Sequence, residues 1–268
     1  MAGVLDPTSR NRLLALAQGP DPYPFLTLVD DYLYRTPQDD QIRAMAVSAL
    51  LKKGLHSVAI ELAAACPADS PEAGALHNAA RTLASLPSDR IPDAVAQATW
   101  EGNLAALAMR GKAGRQLAAT LLDVWSTGCR DFTLHRAGDG NVLVRGARSD
   151  GCRIWLPAAL DYANRVETIP EASSWKGSML APFVFDGVGA GWVIARAFDA
   201  TEEIFVNHRP AIHVIETNLR ALAVILRLHD WRRLLASDRF FLCAGPDAWD
   251  EWKALMRSEP RLPVAPEA

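Results

Sequence analysis

"PFVFDGVGAGWVIARAF", residues 182–198, decides how the second half of the chain is read. A short apolar run enters three glycines that alternate with other residues. Apolar positions then return at helical spacing, with Val193, Ile194 and Ala197 on one side. A buried strand turning through glycine into a helix is the entry to a strand–helix–strand unit. The alternation continues downstream. "AIHVIE" (211–216) is a second buried strand and "NLRALAVILRLHDWRRLLA" (218–236) one long amphipathic helix. "RFFLCAG" (239–245) is a third strand and "PDAWDEWKALMRS" (246–258) a third helix. This order predicts a parallel sheet with helical crossovers, a partial Rossmann-like arrangement.

Ligands of such sheets sit outside the carboxyl ends of the strands. Gly187, Gly189 and Gly191 lie at that end of the first strand and Glu216 at that end of the second. Glycines let the chain turn sharply and let a ligand approach the backbone, and the following helix start supplies free N–H groups. A carboxylate at the end of the second strand can accept both hydroxyls of a ribose. These four residues are the candidate cofactor-binding set. No nucleophile or general base stands out, so the catalytic residues are unassigned. The same glycines also suit a tight turn that binds nothing, and both readings stand at this point.

The dinucleotide fingerprint G-x-G-x-x-G would need its third glycine where Trp192 stands. The spacing G-x-G-x-G instead resembles the first motif of class I S-adenosylmethionine-dependent methyltransferases, and Glu216 matches that family's ribose-binding acid. The resemblance implies S-adenosylmethionine as a ligand. The chain departs from the pattern in three ways. Phe185 stands where the family has an acid, with Asp186 one place out of register. Gly187 and Glu216 are 29 residues apart, against about 20 in a minimal unit. No Asn/Asp-Pro-Pro-aromatic motif occurs. From about 95 to 262 the order of elements also resembles the N-terminal part of bacterial surface-glycosylation proteins, relatives of the motility accessory factors of flagellin glycosylation. That likeness implies an accessory or truncated region of a transferase, with the sugar-transfer chemistry in a downstream domain.

Residues 1–125 read as helices. "DDQIRAMAVSALLKK" puts Ile42, Met45, Ala46, Ala49 and Leu50 on one face, and Gly54 ends the helix. "LHSVAIELAAAC" is the next, and "SPEAGALHNAARTLASL" a third, with Ser70 as N-cap and Pro71 in the first turn. Pro37 and Pro71 lie 34 residues apart, which is the tetratricopeptide period. The run "ALLKKGLHSVAIELAAACPADSPEA" from Ala49 to Ala73, with small residues at Ala49 and Ala59, Gly54 at the turn and Pro67 after the second helix, resembles such a repeat, which implies a surface for a protein partner. An ordinary helical hairpin fits the residues equally well. "AVAQATWEGNLAALAMRG" and "AGRQLAATLLDVWSTG" continue the helices to the boundary at 125.

From 126 to 262 we expect a β meander followed by the Rossmann-like region, with 263–268 a tail or linker. "DFTLHR", "NVLVRG" and "CRIWLP" are β-type runs separated by Asp-Gly turns, an antiparallel meander over 131–156. "PAALDYANRVETIPEASSWKGS" reads as a short helix and a polar loop. The fold class is therefore α/β with an α-helical, tetratricopeptide-like N-terminal region.

Half of the 268 residues are hydrophobic and 22% are charged, enough for a sizeable core. A net charge of −3 with no long basic run argues against nucleic acid. Cys66, Cys129, Cys152 and Cys243 form no C-x-x-C pair and read as reduced, buried thiols of a cytoplasmic protein. No stretch approaches a membrane span or a signal peptide. Neither a zinc-binding histidine pattern, a phosphate loop nor a serine-hydrolase elbow occurs, so no metal is expected. The acidic pairs Asp30-Asp31, Asp39-Asp40 and Glu202-Glu203 read as solvated surface. Arg220, Arg227, Arg232 and Arg233 read as a basic strip along the long helix.

Overall fold

The structure, a computed structural model, describes residues 7–129, 132–138, 142–147, 152–155, 182–189, 191–201 and 210–258. It separates into two compact units, Met1–Pro92 with Asp131–Ala163, and Asp93–Arg130 with Asn164–Ala268. The grouping differs from the boundary read at 125. The meander shares a core with the N-terminal helices, through Ala137 and Leu143, and the last two helices before it share a core with the parallel sheet.

The first unit holds α1 (Pro7–Ala17), α2 (Tyr23–Arg35), α3 (Asp40–Lys52), α4 (His56–Ala64) and α5 (Ala73–Leu83). With them goes an antiparallel sheet of β1 (Thr133–Arg136), β2 (Val142–Ala147) and β3 (Arg153–Trp155) in the order β1-β2-β3. Its core is built from the apolar stripes of α2, α3 and α4, with Phe25, Leu26, Ile42, Leu50 and Leu55 fully buried. Gly54 follows α3 in the left-handed region at φ +70°, as its position after the periodic run predicts. The third helix begins later than the Ser70-Pro71 signal suggests. Ser70 Oγ accepts the N–H of Glu72 and donates to Asp40, so it closes a turn ahead of the helix rather than capping it.

In two of the acidic pairs one carboxylate is tied into the fold rather than solvated. Asp30 is buried beneath Arg145 of β2, whose Nε and Nη2 reach its two oxygens at 3.0 and 2.8 Å while Nη1 reaches Glu61 at 2.8 Å. The two carboxylates raise the affinity of the Arg145 guanidinium for its proton despite its burial. Asp39 caps α3 by accepting Ile42 N–H, and it also accepts from Arg10 and Tyr32. Glu202 and Glu203 lie outside the described residues. In the same unit Asp89 accepts Ser57 N–H at 2.6 Å and lies 3.0 Å from His135 Nδ1, and these donors hold its carboxyl at about 2. The cluster ties the segment around Asp89 to β1, alongside the bridge between Arg90 and His135.

The second unit holds α6 (Asp93–Ala108), α7 (Lys112–Gly128), β4 (Phe183–Asp186), α8 (Trp192–Ala200), β5 (Ile212–Glu216), α9 (Leu219–Leu228), α10 (Arg232–Ala236), β6 (Phe240–Ala244) and α11 (Ala248–Ser258). The three strands form a parallel sheet in the order β4-β5-β6. Phe183, Phe185, Ile212, Val214, Phe240 and Leu242 point into a core with Ile194, Leu222, Ile225 and Trp231. On the opposite face Ile215 and Cys243 pack under Ala248 and Trp252 of α11.

The helix read as continuous from 218 to 236 is broken. His229 is extended, with φ −120° and ψ +136°, and the chain restarts as α10 after Asp230. The cause is Asn103 of α6, buried at 0% exposure. Its amide donates to the carbonyls of Leu226 and His229, both at 2.7 Å, and its oxygen accepts Trp231 N–H at 2.8 Å. Three groups that would be orphaned by ending α9 are thereby satisfied, so the break costs little. The basic strip is likewise divided among separate partners. Arg220 donates to the carbonyl of Gly128, Arg227 lies over Trp125, Arg232 pairs with Asp230 and Arg233 with Asp199. The helix and loop expected between the meander and β4, and the C-terminal tail, lie outside the described residues.

Candidate functional site

Strand β4 ends at Asp186, which is exposed, and the chain enters the glycine turn. Gly187, Gly189 and Gly191 have φ of +85°, +49° and +79°. All three lie where a side chain is strained by roughly 1–2 kcal/mol per residue. They serve different ends. Gly187 extends the ladder by donating to the carbonyl of Ile215 at 2.7 Å. At Gly191 an added Cβ would sit 2.6 Å from Ile225 Cγ2 and 2.9 Å from His229 Cδ2. That glycine lets the start of α8 lie close against α9.

Glu216 ends β5 beside this turn, because β4 and β5 are adjacent and parallel, with Asp186 paired to Ile215. Its side chain reaches back to the turn. Oε2 accepts Val188 N–H at 2.8 Å and Oε1 accepts Asn218 N–H at 2.6 Å. The residue is 5% exposed. A carboxylate offers about four acceptor positions, so two are taken by the chain and two remain. Asn218 then caps α9 by accepting from Arg220 and Ala221. The structure thus brings together the four sequence-predicted residues, with Glu216 as the tie between two strand ends.

A cleft of about 380 Å³ opens at the carboxyl end of the neighbouring strand. Leu242, Ala244 and Gly245 form one side, Leu219 of α9 the next, and Ala113, Gln116 and Thr120 of α7 the facing wall. Neither Glu216 nor the three glycines belong to its wall. Ala244 is nevertheless the register partner of Glu216, and Gly245 donates to the Glu216 carbonyl at 2.8 Å. Arg110 borders the cleft with its guanidinium tied to the carbonyls of Leu235, Ser237 and Phe240. The α7 wall was not legible as a site, since the sequence marks this stretch only as one more helix.

His213 lies in the middle of β5 at 0% exposure, stacked on Phe241 with ring centroids 4.8 Å apart and edge-on to Trp252 at 6.3 Å. Among the described residues neither ring nitrogen has a hydrogen-bonding partner. Burial lowers its pKa to about 4 from 6.5. Between these values the unfolded chain binds a proton that the folded chain does not, so stability falls as pH falls. The limiting slope is about 1.4 kcal/mol per pH unit, or roughly 2 kcal/mol between pH 7 and pH 5. His213→Phe should remove that share. Urea midpoints at the two pH values, followed by tryptophan fluorescence, should differ less in the variant, and an unchanged difference would refute the assignment.

Among the described residues no group of three or more His, Cys, Asp or Glu side chains is placed to hold a metal ion, and no helix is long and apolar enough to cross a membrane. The four cysteines are buried thiols not joined in disulfides, and burial pushes the Cys243 thiol up to about 11. In comparisons with known proteins, no family model, curated protein or solved structure matches the chain.

Proposed function

We propose that the second unit is a nucleoside-cofactor-binding module, for a ligand of the S-adenosylmethionine or nucleotide-sugar kind. One observation carries the reading. Three left-handed glycines follow β4, and the first amide past Gly187 is held by the carboxylate that ends β5. The turn is therefore pre-organised at the carboxyl edge of a parallel sheet, where α/β folds bind ligands, and Glu216 keeps two acceptor positions for ribose hydroxyls. The likeness of residues 95–262 to bacterial glycosylation proteins agrees with such a module and suggests that it serves a transferase. No residue is assigned to chemistry.

Titration calorimetry with S-adenosylmethionine, S-adenosylhomocysteine and UDP-glucose tests the reading. Saturable heat for one of them is expected, weakened at least tenfold by Glu216→Ala. That variant also unties Val188 and Asn218, so it should lose about 2 kcal/mol of stability, which a thermal melt measures independently.

A second reading is a non-catalytic interaction scaffold, favoured by the same tie, because a carboxylate already engaged by its own turn needs no ligand. In the first unit an open groove of about 580 Å³ runs between α3 and the approach to α5, past Asp40, Ala44, Met45 and Glu72. A partner segment could lie there. Absence of heat with all three ligands for the wild-type chain would favour this reading.

A further inference from the structure

We propose that the cleft beside β6 captures the carboxyl end of an extended peptide, which adds to the open edge of β6 as an antiparallel strand. The proposal stands apart from the nucleoside reading, since it uses neither Glu216 nor the glycine turn. Among the described residues β6 is an edge of its sheet. In a parallel pair, alternate residues of a strand direct both backbone groups toward the neighbour. Ile212 N–H donates to the Arg239 carbonyl and Gly245 N–H to the Glu216 carbonyl, both at 2.8 Å. With Ile212 opposite Phe240 and Glu216 opposite Ala244, the odd-numbered residues of β6 face β5. Phe240, Leu242 and Ala244 therefore turn N–H and C=O outward. The Phe240 carbonyl accepts from Arg110. Leu242 and Ala244 line the cleft and offer it two donors and two acceptors, the template on which another strand pairs.

The cleft also has a polarity. Arg110 stands at the Phe240 end, with its guanidinium fixed by the carbonyls of Leu235, Ser237 and Phe240. Arginine carries five N–H donors, so two remain, and no carboxylate of the described residues pairs with it. Desolvation alone acts on this cation and lowers its pKa. An arriving carboxylate would supply the missing charge and take the two spare donors. At the other end Glu251, in the first turn of α11, borders the same space. A peptide antiparallel to β6 would bring its terminal carboxylate to Arg110 and its amino end to Glu251, so the charges select that direction. Leu107, Leu117 and Leu219 give apolar surface for alternate side chains. The five residues of β6 span about 13 Å, and a segment of about four residues matches that length and the volume of about 380 Å³.

The test uses the full chain and alters the peptide, because replacing Arg110 would also release three carbonyls. Calorimetry compares the peptide Ala-Val-Ala-Val as free acid, as C-terminal amide, and as two free acids methylated at the second or at the third backbone nitrogen. The free acid should give saturable heat, and the amide should bind at least tenfold more weakly. Successive nitrogens of a strand point to opposite edges. One methylated peptide should therefore lose at least tenfold and the other stay within about threefold of the parent. Glu251→Gln, at an exposed position, should weaken the free acid about threefold and leave its N-acetylated form unchanged. Hydrogen exchange read by NMR places the peptide, since saturating free acid should slow the Leu242 and Ala244 amides at least tenfold. No saturable heat with the free acid would overturn the proposal, as would unchanged exchange at Leu242 and Ala244. Equal binding of acid and amide would overturn the capture of a carboxylate by Arg110, and equal binding of the two methylated peptides would overturn strand addition.

Discussion

Replacing Asn103 with leucine should cost the second unit about 4 kcal/mol, the largest loss expected from any single side chain outside the apolar core. The substitution is close in volume, so packing changes little. What it removes is three hydrogen bonds, to the carbonyls of Leu226 and His229 and from the N–H of Trp231. Each orphaned buried group costs roughly 1–3 kcal/mol. The contributions do not add fully, because α9 can straighten or fray to recover a partner. Asn103→Asp separates the causes. It keeps an acceptor for Trp231 but aims a negative oxygen at two carbonyls. At neutral pH it should be as damaging as leucine, and it should recover partly in acid, where the carboxyl gains a proton to donate. Urea denaturation followed by tryptophan fluorescence suits the measurement, since all the tryptophans but Trp155 belong to the second unit. A loss below 1 kcal/mol for Asn103→Leu would mean that the joint between α9 and α10 is not held by this side chain.

That joint also shows what sequence could and could not reveal. The alternation of strand and helix after residue 182 is a local property, written in apolar runs, glycines and helical periodicity, and the parallel pairing of β4, β5 and β6 agrees with it, whereas their order in the sheet is not a local property. The glycine turn and the acid at the end of β5 were legible for the same reason. The break at His229 was not. Residues 218–236 keep a helical pattern throughout, and the group that interrupts it lies more than a hundred residues upstream. A weak signal existed, a single asparagine on the apolar stripe of Trp100, Leu104 and Leu107. A polar residue on such a face is buried only with partners, but one sequence does not name them. Asp30 is a similar case. Its neighbour Asp31 pairs locally with Arg35 at the surface, whereas Asp30 finds its partner on β2, so two adjacent carboxylates of identical chemistry have different roles. The function of Glu216 was only half visible. Its place at a strand end suggests ribose, whereas the backbone amides it holds become apparent only once β4 lies beside β5. Whether a ligand competes for that carboxylate is a question of binding and not of fold.

Gly114→Ala should be almost as costly as the loss of Asn103, for a reason that has nothing to do with polarity. Gly114 lies in the first turn of α7, packed against the carboxyl end of α6. An added Cβ would lie 2.1 Å from the carbonyl oxygen of Leu107, 3.0 Å from Arg110 Cβ and 3.2 Å from the Leu107 carbonyl carbon. The nearest obstacle is backbone, which cannot rotate away as a side-chain end can, so the two helices must part. Overpacking typically costs 1–3 kcal/mol and more where nothing yields, and we expect about 3 kcal/mol or above. Two other glycines serve as controls. Gly111, at φ +89° with no atom of the described residues near its missing Cβ, should lose only about 1–2 kcal/mol on mutation to alanine, from backbone strain alone. Gly74, inside α5 with open space and ordinary helical backbone, should gain about 0.5–1 kcal/mol for the first unit, because alanine restricts the unfolded chain. Denaturant midpoints should therefore rank Gly74→Ala above wild type, Gly111→Ala below it and Gly114→Ala lowest. Because Ala113, Gly114 and Gln116 all border the cleft, parting the hairpin should also loosen the α7 wall. Equal stabilities for the Gly111 and Gly114 variants would show that the hairpin adjusts freely, and the steric argument for a rigid wall at α7 would be lost.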